Sequence, residues 1–112
     1  MPKAPIYVSL DLETTGLSPE NDAITEVAAI KFEGDAVVDT FSSLVNPRRT
    51  IPLFVQQMCG ITQKEVDGAP DISSLVSDIK AFLGTYPIVG HNIAFDIAFF
   101  GCKRNRLRKS NL

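Results

Sequence analysis

The sequence is poor in the residues that announce zinc, haem or redox chemistry, with one histidine and two cysteines in the whole chain. Cys59 and Cys102 stand far apart, form no CxxC pair and fall in apolar surroundings. Buried free thiols are therefore expected, rather than a disulfide or a zinc cage. No apolar run approaches the roughly 18 residues that a membrane-spanning helix needs. Acidic residues enter the first stretch, MPKAPIYVSLDLE, too early for a secretory signal. Both absences exclude a helical membrane protein and predict a cytoplasmic one with no membrane contact.

What is present suits one soluble globular domain. The chain has 112 residues, 45% hydrophobic and 21% charged, enough to bury a core. Its net charge of -2 hides an asymmetry: Lys103, Arg104, Arg106, Arg108 and Lys109 hold five of the eleven basic residues. The first hundred residues therefore carry all thirteen acids against six bases. That balance argues against binding nucleic acid by phosphate neutralisation over the whole surface, and suits a protein that recruits divalent cations. The basic run itself reads either as a solvated helix end or as a patch that grips single-stranded nucleic acid.

Hydrophobic periodicity orders the elements. In residues 6–12 (IYVSLDL), Ile6, Val8, Leu10 and Leu12 share one face of a strand, while Ser9, Asp11 and Glu13 share the other. After the turn-rich TTGLSPEND, the segments AITEVAAIKF and AVVDTFSSLV flank Glu33-Gly34-Asp35 and predict a hairpin. Residues 52–58 predict a short helix with Pro52 tolerated at its start and Gly60 closing it. The clearest helix is predicted over 71–83, with Asp71 as N-cap, an apolar stripe from Ile72 to Leu83, and Gly84 as stop. Pro87-Ile88-Val89-Gly90 predicts a short buried strand, and a second long helix should begin near Asn92. Three antiparallel strands followed by a parallel one, with flanking helices, make an α/β mixed sheet.

Two constellations carry chemistry. Asp11 and Glu13, two apart on a strand, point the same way and set two carboxylates side by side. Hard cations such as Mg²⁺ or Mn²⁺ favour such oxygen ligands; the alternative is a solvated strand end. Thr14-Thr15-Gly16-Leu17 then adds two hydroxyls, a glycine that lets backbone approach a ligand, and an isolated leucine suited to wedge against a base. The second constellation is Gly90-His91-Asn92-Ile93-Ala94-Phe95-Asp96. Asp96 could simply complement a helix dipole, yet polar His91 and Asn92 interrupt an apolar stretch, as a site at the carboxyl end of a strand would require.

LDLETTGL resembles the first motif, and HNIAFD the second, of the DnaQ-like (DEDD) 3′→5′ exonucleases, which include the proofreading epsilon subunit of bacterial DNA polymerase III. NPRRTIP, Cys59-Gly60-Ile61-Thr62 and VDGAP fall where that family has its connecting elements. The resemblance implies an RNase H-like fold in which Asp11, Glu13 and Asp96 are catalytic and hold two divalent cations, Mg²⁺ or Mn²⁺. It implies hydrolysis of the terminal phosphodiester of single-stranded DNA, with RNA as an alternative, to a nucleoside 5′-monophosphate. Thr14 would touch the 3′ hydroxyl, with Thr15 and Gly60 also lining the substrate. Leu17 and Ile61 would flank the terminal base, and Asn92 and Phe95 the strand path. Cys59 departs from the histidine many relatives carry there, and is expected to be packed core without a polar contact.

The family's third motif, with its general-base histidine and fourth acid, has no counterpart, and His91 belongs to the second motif. Residues 1–112 are therefore expected to form a single exonuclease domain, truncated before the third motif and C-terminally incomplete. Weak or absent activity alone and self-association through an uncovered edge follow, and a polymerase or helicase polypeptide is the expected partner. A catalytically inactive nucleic-acid or partner-binding remnant of the same fold is the alternative.

Overall fold

The computed structural model describes residues 4–90. In chain order these form β1 (Ile6–Thr14), β2 (Ile24–Glu33), β3 (Ala36–Leu44), α1 (Leu53–Cys59), α2 (Gln63–Asp67), α3 (Ile72–Leu83) and β4 (Ile88–Val89). The sheet runs β3-β2-β1-β4. β1 pairs antiparallel with β2, and β2 with β3, whereas β4 lies parallel to β1. This is the mixed sheet that the alternation predicts. The helix expected from Asn92, the basic run, Cys102 and the residues 110–112 lie outside the described residues.

Alternation in β1 sorts the sheet into two faces. Val8, Leu10 and Leu12 are buried, and the register sets Leu10 opposite Ala29 and Leu12 opposite Val27, so these side chains form one apolar layer. The β2–β3 hairpin closes on the pair Glu33–Ala36, with Gly34 at φ 59. A positive φ at the first of two turn residues is a conformation that glycine adopts without a Cβ penalty.

α3 covers that layer. Leu75, Ile79 and Leu83 recur at helical spacing and bury themselves against Val8, Leu10, Leu12, Val27 and Val45. Fully burying each such side chain contributes roughly 1.5–3 kcal/mol. Phe82 packs near Phe41 of β3, and the Lys31 ammonium lies 4.7 Å from the centroid of its ring. α3 stops at Gly84, as its sequence predicts.

Three details depart from the sequence expectation. Asp71 has the extended backbone of an N-cap, but its side chain caps nothing. Both its oxygens instead accept from Arg48, at 2.5 and 2.8 Å, and Arg48 itself has a positive φ of 56. β4 falls where it was predicted but is not buried: Ile88 is half-buried and Val89 is 42% exposed. Among the described residues β4 is an edge strand with one neighbour. α2 was not predicted, and a capping box starts it: the Glu65 amide donates to Thr62 Oγ1, and the Thr62 amide to Glu65 Oε1.

α1 and α2 enclose a second, smaller cluster of Ile51, Val55, Ile61 and Val66, with Leu44 and Cys59 packed at its border. No helix among the described residues is long and apolar enough to cross a membrane.

Candidate active site at the end of the first strand

Because the even-numbered residues of β1 turn into the core, Asp11 and Glu13 stand on the opposite face, Asp11 exposed and Glu13 half-buried. The register places Ala28 across from Asp11 and Glu26 across from Glu13. Three carboxylates therefore gather at one end of one sheet face. Glu26 feels the crowding: its pKa is raised, by partial burial first and then by the charges of Glu13 and Asp11. Glu26 was not among the residues singled out from the sequence.

Cys59, expected to be plain packing, makes a polar contact. It is the last residue of α1, and its Sγ donates to Glu13 Oε2 at 3.0 Å. The helix ends there because Gly60 takes φ 71 and its amide returns to the Gln56 carbonyl, at 2.9 Å. Burial, and then the hydrogen bond to Glu13, push the Cys59 thiol up to about 11, so it remains an S–H donor at neutral pH.

The loop after Glu13 is built on Asp22. A β-bulge shifts the register between Glu13 and Thr14, redirecting the chain beside the carboxylates. Thr14 Oγ1 donates to the Gly16 carbonyl at 2.6 Å. Thr15 is buried, its hydroxyl donating to Asp22 Oδ1 at 3.2 Å while accepting from the Ala23 amide at 2.9 Å. The Ser18 amide donates to Asp22 Oδ2 at 3.0 Å. Gly16 is needed for a reason other than ligand approach: a Cβ there would lie 2.4 Å from Asp22 Oδ2. Arg49 fastens the same loop by donating from Nη1 to the Asn21 carbonyl. The result is a braced loop that displays Leu17 at 85% exposure.

The residues expected to line a substrate thus separate. Leu17 is displayed and Thr14 is half-buried at the strand end. The Thr15 hydroxyl is committed to the loop, and Ile61, 7% exposed, is packed in the second cluster. Gly60 is held by its positive φ, with open space where a Cβ would lie. His91, Asn92, Phe95 and Asp96 lie outside the described residues. No three histidine, cysteine or acidic side chains among the described residues converge as a metal cage. Asp11 and Glu13 nevertheless fit part of a hard-cation site: both are oxygen donors on one face, and Glu26 stands across the register from Glu13, its pKa raised first by burial and then by the charges of Glu13 and Asp11.

The exonuclease family model matches residues 8–111. The chain is 41% identical over 93 residues to the PolC-type DNA polymerase III of Clostridium perfringens, a match covering 83% of this chain and 6% of that protein. It is 36% identical over 101 residues to the PolC-type DNA polymerase III of Bacillus subtilis, covering 90% of this chain and 7% of that protein. The chain therefore spans less than a tenth of the length of these relatives. Among solved structures, the metal-free E. coli exonuclease I–ssDNA complex superposes with a TM-score of 0.75 at 20% identity, over 85% of this chain and 22% of that one. This last likeness is one of fold.

Proposed function

The chain belongs to the exonuclease family, and from that membership we propose that it hydrolyses single-stranded DNA from the 3′ end, releasing nucleoside 5′-monophosphates at a two-cation site. The observation that carries the proposal is the pairing of Asp11 and Glu13 on the coreless face of β1, beside a braced loop that displays Leu17.

Asp11, Glu13 and Asp96 would hold Mg²⁺ or Mn²⁺. Such ions lower the pKa of the attacking water and offset charge on the leaving 3′ oxygen. The chain's own residues supply position. The braced Asp22 loop fixes Thr14, whose hydroxyl spends its proton on the Gly16 carbonyl and keeps acceptor lone pairs for a terminal 3′ hydroxyl. Leu17 offers an apolar edge to the last base, and such contacts tolerate any base. Asn92 and Phe95 would extend the path, and Ile61, packed in the second cluster, would back the terminal base. Single-stranded DNA is favoured as substrate by the relation to PolC-type polymerases and by the fold shared with the exonuclease I–ssDNA complex. A DNA polymerase polypeptide is the partner that the same relation suggests, with the chain acting as an editing domain.

The test is release of labelled mononucleotide from a 3′-labelled single strand in Mn²⁺. Removing the supporting partner of a metal ligand typically costs 10–100-fold. Asp11→Ala, which removes the ligand itself, should therefore slow release by at least about a hundredfold. Equal release by wild type and Asp11→Ala, or cleavage that starts within the strand, sinks the proposal. Strand retention without release in either protein would favour a non-hydrolytic binding module.

A further inference from the structure

We propose that Cys59 is a positioning residue for the cation site, its thiol fixing which way the Glu13 carboxylate faces. The inference rests on the reading of Asp11 and Glu13 as cation ligands.

Glu13 has reason to be badly placed. It stands directly opposite Glu26 in the β1–β2 register, and like charges directly opposite one another repel. A glutamate side chain also has ample rotamer freedom, and β1 alone does not choose among its orientations. The Cys59 thiol does, by donating to Oε2 at 3.0 Å.

The donor comes from a rigid place. Cys59 closes α1, the left-handed Gly60 cap fixes the helix end, and its side chain packs on the Ile51, Val55, Ile61 and Val66 cluster. The helix that ends at the thiol is thus tied to the strand that carries Glu13 one residue before its end. A thiol also suits the task chemically. It has one proton to give, so it engages Oε2 and leaves Oε1 to face a cation. Being neutral, it orients the carboxylate without cancelling the charge that attracts the cation, whereas an ammonium or guanidinium would compete with it.

The experiment is a Mn²⁺ titration of the chain without DNA, following the paramagnetic resonance signal of the free ion, for wild type, Cys59→Ala, Cys59→Ser and Asp11→Ala. Thermal unfolding in chelator is recorded for each. Cys59→Ala should weaken Mn²⁺ binding about three- to tenfold, below the roughly 10–100-fold typical for loss of a ligand's supporting partner because a thiol is a weak donor. Cys59→Ser, which restores a donor but not the packing, should return affinity to within about twofold of wild type. A purely packing role predicts the opposite order, with serine in a half-buried apolar border no better than alanine. Affinity untouched in Cys59→Ala, or equally weak in both variants, overturns the inference while Mn²⁺ binding lost in Asp11→Ala leaves the cation reading standing. Wild type that binds no Mn²⁺ overturns both.

Discussion

Glu26 shows how much of a site is set by a residue's neighbour across the sheet. Its carboxyl is half-buried beside Glu13 and Asp11, and its pKa is raised from the ordinary 4.5. A carboxyl that binds its proton more tightly when folded favours the native state at low pH. That advantage is lost as pH rises from about the ordinary value through the raised one. In chelator, Glu26→Gln should therefore melt higher than wild type at pH 7, by a few degrees at most because the side chain is only half-buried. The gap should close below pH 4.5, where the unfolded chain too is protonated. Melting curves at pH 4 and pH 7 check this; a variant that melts lower than wild type at pH 7 would show that Glu26 is stabilised by a partner instead of crowded.

The elements differ in what they bury, and the difference predicts which substitutions matter. Ile79 of α3 is 1% exposed in the main core, whereas Phe54 of α1 is 67% exposed. Ile79→Ala should cost about 2–5 kcal/mol, lowering the melting temperature by roughly 8 °C or more. Phe54→Ala should stay within about 0.5 kcal/mol; equal losses would mean that Phe54 is buried as deeply as Ile79. The same contrast explains what could be read beforehand. β1, the hairpin, α1 and α3 announce themselves because each is long enough to show a period or carries a glycine stop such as Gly60 or Gly84. α2, at five residues, is too short for a period, and its one signal is the spacing of Thr62 and Glu65. Asp11 and Glu13 were legible as a pair because strand alternation alone makes them one. Glu26 was not, because the link through residues 15–23 and the bulge after Glu13 leave the β1–β2 register uncountable. The Cys59 contact, likewise, depends on where a helix end docks.

Over the whole molecule the acids outnumber the bases, and outside the cluster at 103–109 the imbalance is thirteen to six. A chain of this kind gathers cations before it gathers phosphates, since polyanion binding by charge alone needs a basic face. If Asp11, Glu13 and Asp96 hold cations in the folded chain, and the unfolded chain disperses them, then divalent ions must stabilise the fold as RT ln(1 + [L]/Kd), about 2.7 kcal/mol at a hundred times Kd. Addition of Mn²⁺ should raise the melting temperature in proportion to the logarithm of its concentration above Kd, and chelator should reverse the rise. The slope must vanish in Asp11→Ala. Glu26→Gln, which relieves repulsion without removing a proposed ligand, should melt higher before Mn²⁺ is added and gain less from it, because part of what the cations neutralise is already gone. A rise of equal size in wild type and Asp11→Ala would assign the stabilisation to diffuse screening of the acidic surface, and would leave the paired carboxylates of β1 without a cation to hold.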